Sequence, residues 1–181
     1  MDTYKLKFTR LQNEIFRFLC IKAGMGLNQR GIARHLDVSP TAIAKALKGL
    51  SKEELINIEK SKTMNLISIQ LNRDNPKAIA LKRVENIKQI YESGLLGCLE
   101  EHFPGCTIIL FGSYSSGEDT TASDIDLAVI GSKEKDIDLT RFDKMLERTV
   151  FLHHYDCLKG VGKNLKANIL NGITLQGSVE L

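Results

Sequence analysis

The chain contains no tryptophan and only three prolines in 181 residues, and its four cysteines stand far apart. Cys20, Cys98, Cys106 and Cys157 form no Cys-x-x-Cys pair, which argues against a zinc ribbon or a disulfide framework. Each sits in or beside an apolar pattern, as reduced, buried thiols do. No apolar run is long enough to span a bilayer, and the opening MDTYKLKFTR has no signal-peptide core. A soluble cytoplasmic protein with no membrane partner is therefore expected. There is no internal repeat and no low-complexity segment, so neither a solenoid nor a disordered linker is indicated. What remains is 43% apolar, enough for one large or two small cored domains.

Acidic charge is scarce in the first half. Residues 1–75 carry 13 Lys and Arg against 7 Asp and Glu, while residues 76–181 carry 12 against 15. This asymmetry suggests a first half that faces nucleic acid and a second half with other work.

The first half reads as three helices and a hairpin. Leu11, Ile15, Phe18, Leu19 and Lys22 recur at helical spacing, closed by Gly24 and Gly26. Asn28 can cap a second helix with Ile32, Ala33 and Leu36 inward. After a turn at Asp37 and Val38, Ser39-Pro40 opens a third helix. Serine accepts an orphan backbone N–H there, and proline at the first position loses nothing by lacking one. Ile43, Ala46, Leu47 and Leu50 make its buried stripe. Residues 55–59 and 66–71 alternate apolar with polar around the basic loop 60–65, which predicts a β-hairpin. The segment 1–73 resembles a winged helix-turn-helix DNA-binding domain. That resemblance implies a double-stranded DNA partner. Ser39, Thr41, Lys45 and Lys48 would lie on the recognition helix, with Lys60 and Lys62 as phosphate contacts on the wing. The competing reading is a winged helix used for protein contacts.

Residues 72–76 are polar and end in proline, marking a boundary. A helical pattern then runs from 77 to about 103, with Gly94 and Gly97 as points where it can bend, long enough at ~1.5 Å per residue to reach roughly 40 Å. This gives a linker helix over 74–104 that packs on a domain at 105–181. At the centre of that domain, 107–111 is a β-branched and aromatic run ended by Gly112, and 127–130 is a second apolar run ended by Gly131. Asp124 and Asp126, two apart on a strand, share a face, while Ile125 and Leu127 point inward. Two adjacent carboxylates repel each other, and a divalent cation with hard oxygen ligands would relieve both. A helix over 138–147, a strand over 149–154, a last helix over 158–170 and an edge strand over 173–179 complete the expectation.

The pattern Gly112-Ser113, ten residues, then Asp124-Ile125-Asp126-Leu127 resembles the signature of the DNA polymerase beta-like nucleotidyltransferase superfamily, above all its minimal members. The resemblance implies an α/β (α+β) domain with a mixed sheet. It implies that Asp124 and Asp126 are catalytic and bind Mg2+ in a two-metal arrangement. Gly112, Ser113, Tyr114 and Ser115 would receive the phosphates of an NTP such as ATP, with Ser116 and Gly117 nearby. It also implies a third carboxylate from the next core strand, where this chain has Phe151; Glu147, Asp156 or Glu180 would have to compensate. His153 and His154 fall on opposite strand faces and read as ordinary histidines. The second DIDL, at 136–139, reads as helix capping by Asp136 and Asp138.

Together the halves look like archaeal-type fusions of a regulator with a nucleotidyltransferase. The expected function is Mg2+-dependent transfer of NMP from an NTP to a hydroxyl on protein or nucleic acid, tethered to DNA. The alternative is a transcriptional regulator whose nucleotidyltransferase fold is degenerate and serves nucleotide sensing or homodimer formation. A third reading is an antitoxin-like partner of a helical toxin.

Overall fold

Thr9 and Gln12 start the first helix with reciprocal bonds: Gln12 N–H donates to Thr9 Oγ1 and Thr9 N–H to Gln12 Oε1. In the computed structural model, which describes residues 7–60 and 67–179, this helix is α1, Arg10–Ile21. Asn28 Oδ1 accepts from Gly31 N–H at 2.7 Å to open α2, Gln29–His35. Ser39 Oγ accepts from Ala42 N–H at 3.2 Å to open α3, Pro40–Lys52, with proline at its first turn. Both caps are the expected ones. The buried stripe of α3 is Ile43, Ala46, Leu47 and Leu50, as its spacing predicts.

The hairpin is β1, Ile56–Lys60, antiparallel to β2, Ile67–Leu71, in register from Ile56 opposite Leu71 to Lys60 opposite Ile67. Lys60 ends β1, while Lys62 lies outside the described residues. The pairing of Leu27 with Ile69, through N–H to O distances of 2.9 and 2.7 Å, has no counterpart in the sequence pattern. One bridged residue has no periodicity to betray it. Ile15, Ile32, Ile43, Leu50, Leu55 and Ile69 are fully buried in this core. Each such side chain stabilises by about 1.5–3 kcal/mol.

The chain divides into two units, Met1–Lys82 and Arg83–Leu181. The expected helix over 77–103, with Gly94 and Gly97 as candidate bends, is in fact two, α4 (Pro76–Glu92) and α5 (Leu95–His102), broken at the first of those glycines. Gly94 is the cause. It takes a left-handed φ of 75°, which a side chain would resist. Ser93 Oγ fixes the break by donating to Ile90 O and accepting from Leu95 N–H.

The second unit continues with β3 (Thr107–Phe111), α6 (Gly112–Ser116), β4 (Ile125–Ile130), α7 (Thr140–Leu146) and β5 (Val150–Tyr155). A 3-10 turn at Leu158–Gly160, α8 (Lys163–Leu170) and β6 (Ile173–Gln176) end it. The expected helix over 158–170 is therefore split, with Gly162 standing ahead of α8 in an extended conformation. The edge strand is shorter than 173–179.

The sheet order is β5-β4-β3-β6, parallel between β4 and β5 and antiparallel elsewhere. One face, with Ile108, Leu110, Ile125, Leu127 and Val129, packs with Leu95, Leu99, Phe142 and Leu146. The other, with Ile109, Phe111 and Ala128, packs with Leu158 and Ile169. Burial on both faces explains why β3 and β4 read as continuous apolar runs.

Asp138 Oδ1 accepts from Thr140 N–H at 2.9 Å, but the N-cap of α7 is Leu139, so neither Asp136 nor Asp138 is the helix cap expected from the sequence. Hydrogen bonds from Thr140 hold the Asp138 carboxyl below the ordinary value. Among the described residues no helix is long and apolar enough to cross a membrane.

Candidate nucleotide and metal site, and candidate DNA face

Asp126 is placed by two strand registers, opposite Phe111 on β3 and Phe151 on β5. Ile125 and Leu127 on either side of it are fully buried, so the Asp126 carboxylate is turned to the other face of the sheet. Its Oδ2 lies against Gly112, where an added Cβ would come within 2.8 Å. Gly112 also has a φ of +73°. Glycine is thus required twice, for the turn out of β3 and for the approach of the carboxylate. In the sequence the Gly-Ser turn and the aspartates stand ten residues apart; antiparallel pairing of β3 and β4 brings them into contact.

The other oxygen of Asp126 has a partner that reads as an ordinary histidine in the sequence. His153 Nε2 donates to Asp126 Oδ1 at 2.9 Å, and the His153 ring packs edge-on to Phe111 at 5.3 Å. His154 points to the opposite face, against Phe103 at 5.3 Å, as strand alternation requires. Tyr155 shares the His153 face. Burial, and secondarily the Asp126 charge, raise its phenol above the ordinary value. Strand parity is the one signal for His153 in the sequence, because register across β4 and β5 is set by the fold.

Side-chain hydrogen bonds brace the Gly-Ser turn. Ser115 Oγ donates to Gly112 O at 2.8 Å and Ser116 Oγ to Ser113 O at 3.0 Å. Tyr114 is 2% exposed and part of the core, so its side chain does not line a pocket. What Tyr114 and Ser115 can offer a ligand is backbone, while the half-buried Ser113 hydroxyl is the side chain that fits the expectation.

Behind the turn, Asn86 Nδ2 donates to Tyr114 O at 2.9 Å and to Asp119 Oδ1 at 2.7 Å. Arg148 Nη2 lies 3.3 Å from Asp119 Oδ2, with both side chains almost fully buried. This ionic group pins the loop that joins the Gly-Ser turn to the aspartates, and no local pattern in the chain announces it.

Asp124 stands one step before β4 and is exposed. It lines a shallow depression with Ser123, Asp143, Lys144, Glu147 and Arg148. Of the substitutes for a third carboxylate, Glu147 shares that depression, and Glu180 lies outside the described residues. Asp156 follows the last residue of β5, beyond Tyr155 opposite Ile130, at the far end of the sheet from Asp126. Phe151, in register beside Asp126 and 47% exposed, cannot bind a metal.

Among the described residues no three His, Cys, Asp or Glu side chains close into a metal cage. The open arrangement nonetheless fits Mg2+-like ions. These are held by one or two carboxylates and complete their shell with phosphate and water.

In the first unit, Thr41, Lys45 and Lys48 are exposed on the side of α3 opposite its buried stripe. The Ser39 hydroxyl is occupied as a cap. Gln29 Nε2 donates to Pro40 O at 2.6 Å, tying α2 to the start of α3. Arg30 and Arg34, four apart and exposed on α2, extend the basic surface beyond the residues expected from the sequence. Their helical spacing is the signal that could have found them.

Residues 92–166 match the family model of the nucleotidyltransferase domain. Solved structures to which the chain is similar include a mutant of ZitR from Lactococcus lactis, 24% identical over 55% of this chain, with a TM-score of 0.43. The adhesin competence repressor AdcR from Streptococcus pyogenes is 19% identical over 56% of this chain and 71% of its own, with a TM-score of 0.43. A MepR–DNA complex from S. aureus gives 22%, 54% and 70%, with a TM-score of 0.42. The chain spans 64% of the length of the ZitR structure. No curated protein matches.

Proposed function

We propose that the chain, whose residues 92–166 match a nucleotidyltransferase domain, binds double-stranded DNA through the winged helix-turn-helix fold of its first unit. We further propose that the second uses a divalent cation to transfer NMP from an NTP to a hydroxyl group on protein or nucleic acid. The observation that carries this reading is the contact of the Asp126 carboxylate with Gly112, the residue that begins the Gly-Ser turn.

In this reading Asp126 and Asp124 hold Mg2+, and the backbone N–H groups of Gly112, Ser113, Tyr114 and Ser115 take the terminal phosphates. The bound ion would supply charge stabilisation for the activated hydroxyl and for the pyrophosphate leaving group. Asp126 is oriented by His153 and by the backbone registers on both sides, so its carboxylate is held in place before any ligand arrives. Lys45 and Lys48 would contact phosphates, with Thr41 reaching base edges.

Calorimetry with the four NTPs, with and without Mg2+, tests the site on wild type and on Asp124→Ala and Asp126→Ala. The expected result is divalent-dependent binding that both substitutions abolish; unchanged binding in both would overturn it. Transfer to an acceptor is then followed with labelled NTP.

A second reading is favoured by Phe151. With an aromatic ring at the level of Asp126, the domain would sense a nucleotide without turning it over, and DNA affinity would respond. Operator binding that changes with nucleotide, in the absence of label transfer, is the outcome specific to this reading.

A further inference from the structure

Phe151 stands where a carboxylate is expected and is 47% exposed, on a strand with one neighbour among the described residues. We propose that the free edge of β5 pairs with the β5 of a second copy of the chain, antiparallel, about a two-fold axis at His153. Phe151 is then an interface residue rather than a lost ligand. Such a dimer is independent of whether Asp126 binds a metal.

The sheet has two edges, and they differ. β6 is four residues long, and its register with β3 slips between Ile108 and Ile109. Short, bulged strands resist further pairing. β5 has six residues in unbroken parallel register with β4, and it carries no Lys, Asp, Glu or Pro. Two clefts of about 410 and 460 Å3 lie beside Leu152 and His154, between the strand and residues 132–139. They leave space along this edge.

The ladder to β4 decides which backbone groups are free. Ile125 N–H donates to Thr149 O at one end, and Gly131 N–H to Tyr155 O at the other. In the continuous register between them, Phe151 and His153 bond to β4, while Val150, Leu152 and His154 turn their N–H and C=O groups outward. The Val150 N–H is already taken, by Asp143 Oδ1 at 2.9 Å. Leu152 and His154 therefore offer a donor and an acceptor each, and Val150 only an acceptor.

These free groups select the register. Centred on His153, an antiparallel copy sets Leu152 opposite the second copy's His154, and every donor and acceptor of both residues finds a partner. Centred on Leu152, it would set His154 O against the occupied N–H of Val150. The side chains agree with the first arrangement. On the Asp126 face, Phe151 meets the second copy's Tyr155 on either side of the two His153 rings, each turned to its own Asp126. Aromatic pairs stabilise an antiparallel ladder. With no carboxylate or ammonium group on the strand, nothing selects a charged peptide in place of a second copy.

The test is sedimentation of the full chain over about 1 to 200 μM, because an interface of one strand pair lies at the small, transient end of the range. A concentration-dependent dimer is expected for wild type. Two variants act on the edge and spare the ladder to β4. Phe151→Lys charges an exposed position, and Leu152→Pro removes an N–H that faces outward. Phe151→Lys should weaken association about tenfold, within what two aromatic pairs supply, and Leu152→Pro should abolish it. Circular dichroism confirms that each remains folded.

The register is read with single cysteines in a Cys157→Ser parent under mild oxidation. His153→Cys should give a disulfide-linked dimer. Leu152→Cys should not, since the two copies of that position lie diagonally and too far apart to bridge. Wild type that stays monomeric throughout overturns the proposal. A dimer that neither Phe151→Lys nor Leu152→Pro weakens, or that links at 152 and not at 153, overturns it equally. Nucleotide binding at Asp126 is untouched by any of these outcomes.

Discussion

The two units of this chain build their candidate surfaces in opposite ways. In Met1–Lys82 the surface is the reverse side of one helix. Once Ile43, Ala46, Leu47 and Leu50 are buried, Thr41, Lys45 and Lys48 must face outward. In Arg83–Leu181 no single element holds the site. Gly112 leaves β3, Asp126 lies on β4 and His153 on β5, and these meet only when three strands pair. A helix face is specified locally and fails only if its unit unfolds. A site shared among strands can be lost to a shift of one register with the fold intact.

The largest expected effect therefore comes from the buried pair that anchors the second unit. Arg148→Met removes the guanidinium beside Asp119, and breaking a buried pair costs about 3 kcal/mol or more. A loss of that size in thermal melts is expected, with loss of nucleotide binding and DNA binding retained. A change below about 1 kcal/mol would show that Asp119 is held adequately by Asn86 and its other partners.

Ile43→Ala is the matching test in the first unit. Truncating a fully buried isoleucine costs about 2–5 kcal/mol. DNA binding should fall while metal binding at Asp126 persists. Loss of both together would erase the contrast between the units.

Gly112→Ala probes the site with less damage to the fold. A left-handed conformation costs a side chain about 1–2 kcal/mol, and the new Cβ would also push Asp126 aside. Melting should shift modestly while divalent-dependent nucleotide binding is lost. Retained binding would mean that Asp126 can relax without consequence.

On the DNA side, Lys45→Ala with Lys48→Ala removes two phosphate contacts. The slope of log affinity against log salt should become shallower by about 1.8. An unchanged slope would assign α3 to protein contacts instead.

What is legible in the sequence follows the same division. Caps at Asn28 and Ser39 and the stripe of α3 are local patterns, and all three are present in the structure. The single pairing of Leu27 with Ile69 and the break at Gly94 are hidden or blurred. The first depends on a distant strand. The second lies within an apolar periodicity that continues on both sides of the glycine. For the site, the Gly-Ser turn and Asp126 can be read because they abut apolar strands. The contacts of His153, Asp119 and Arg148 cannot, since nothing near them in the chain names their partners.

The smallest effect expected concerns pH and the first unit. Lys7 and then Lys77, both bonded to Glu53 Oε2, hold its carboxyl down to about 2, against an ordinary value of 4.5. A depressed carboxyl contributes its stability above the unfolded value and loses it as pH falls toward the folded one. The ion pairs are partly exposed, so the contribution is small. Wild type should melt slightly above Glu53→Gln near pH 6, with the gap narrowing as pH falls below about 4.5 toward 2. A titration of the Glu53 carboxyl by NMR reads the same linkage without unfolding. A midpoint at the ordinary value would show that the two lysines do not hold Glu53 in solution, and that α3 ends without this tie to Lys77 at the start of α4.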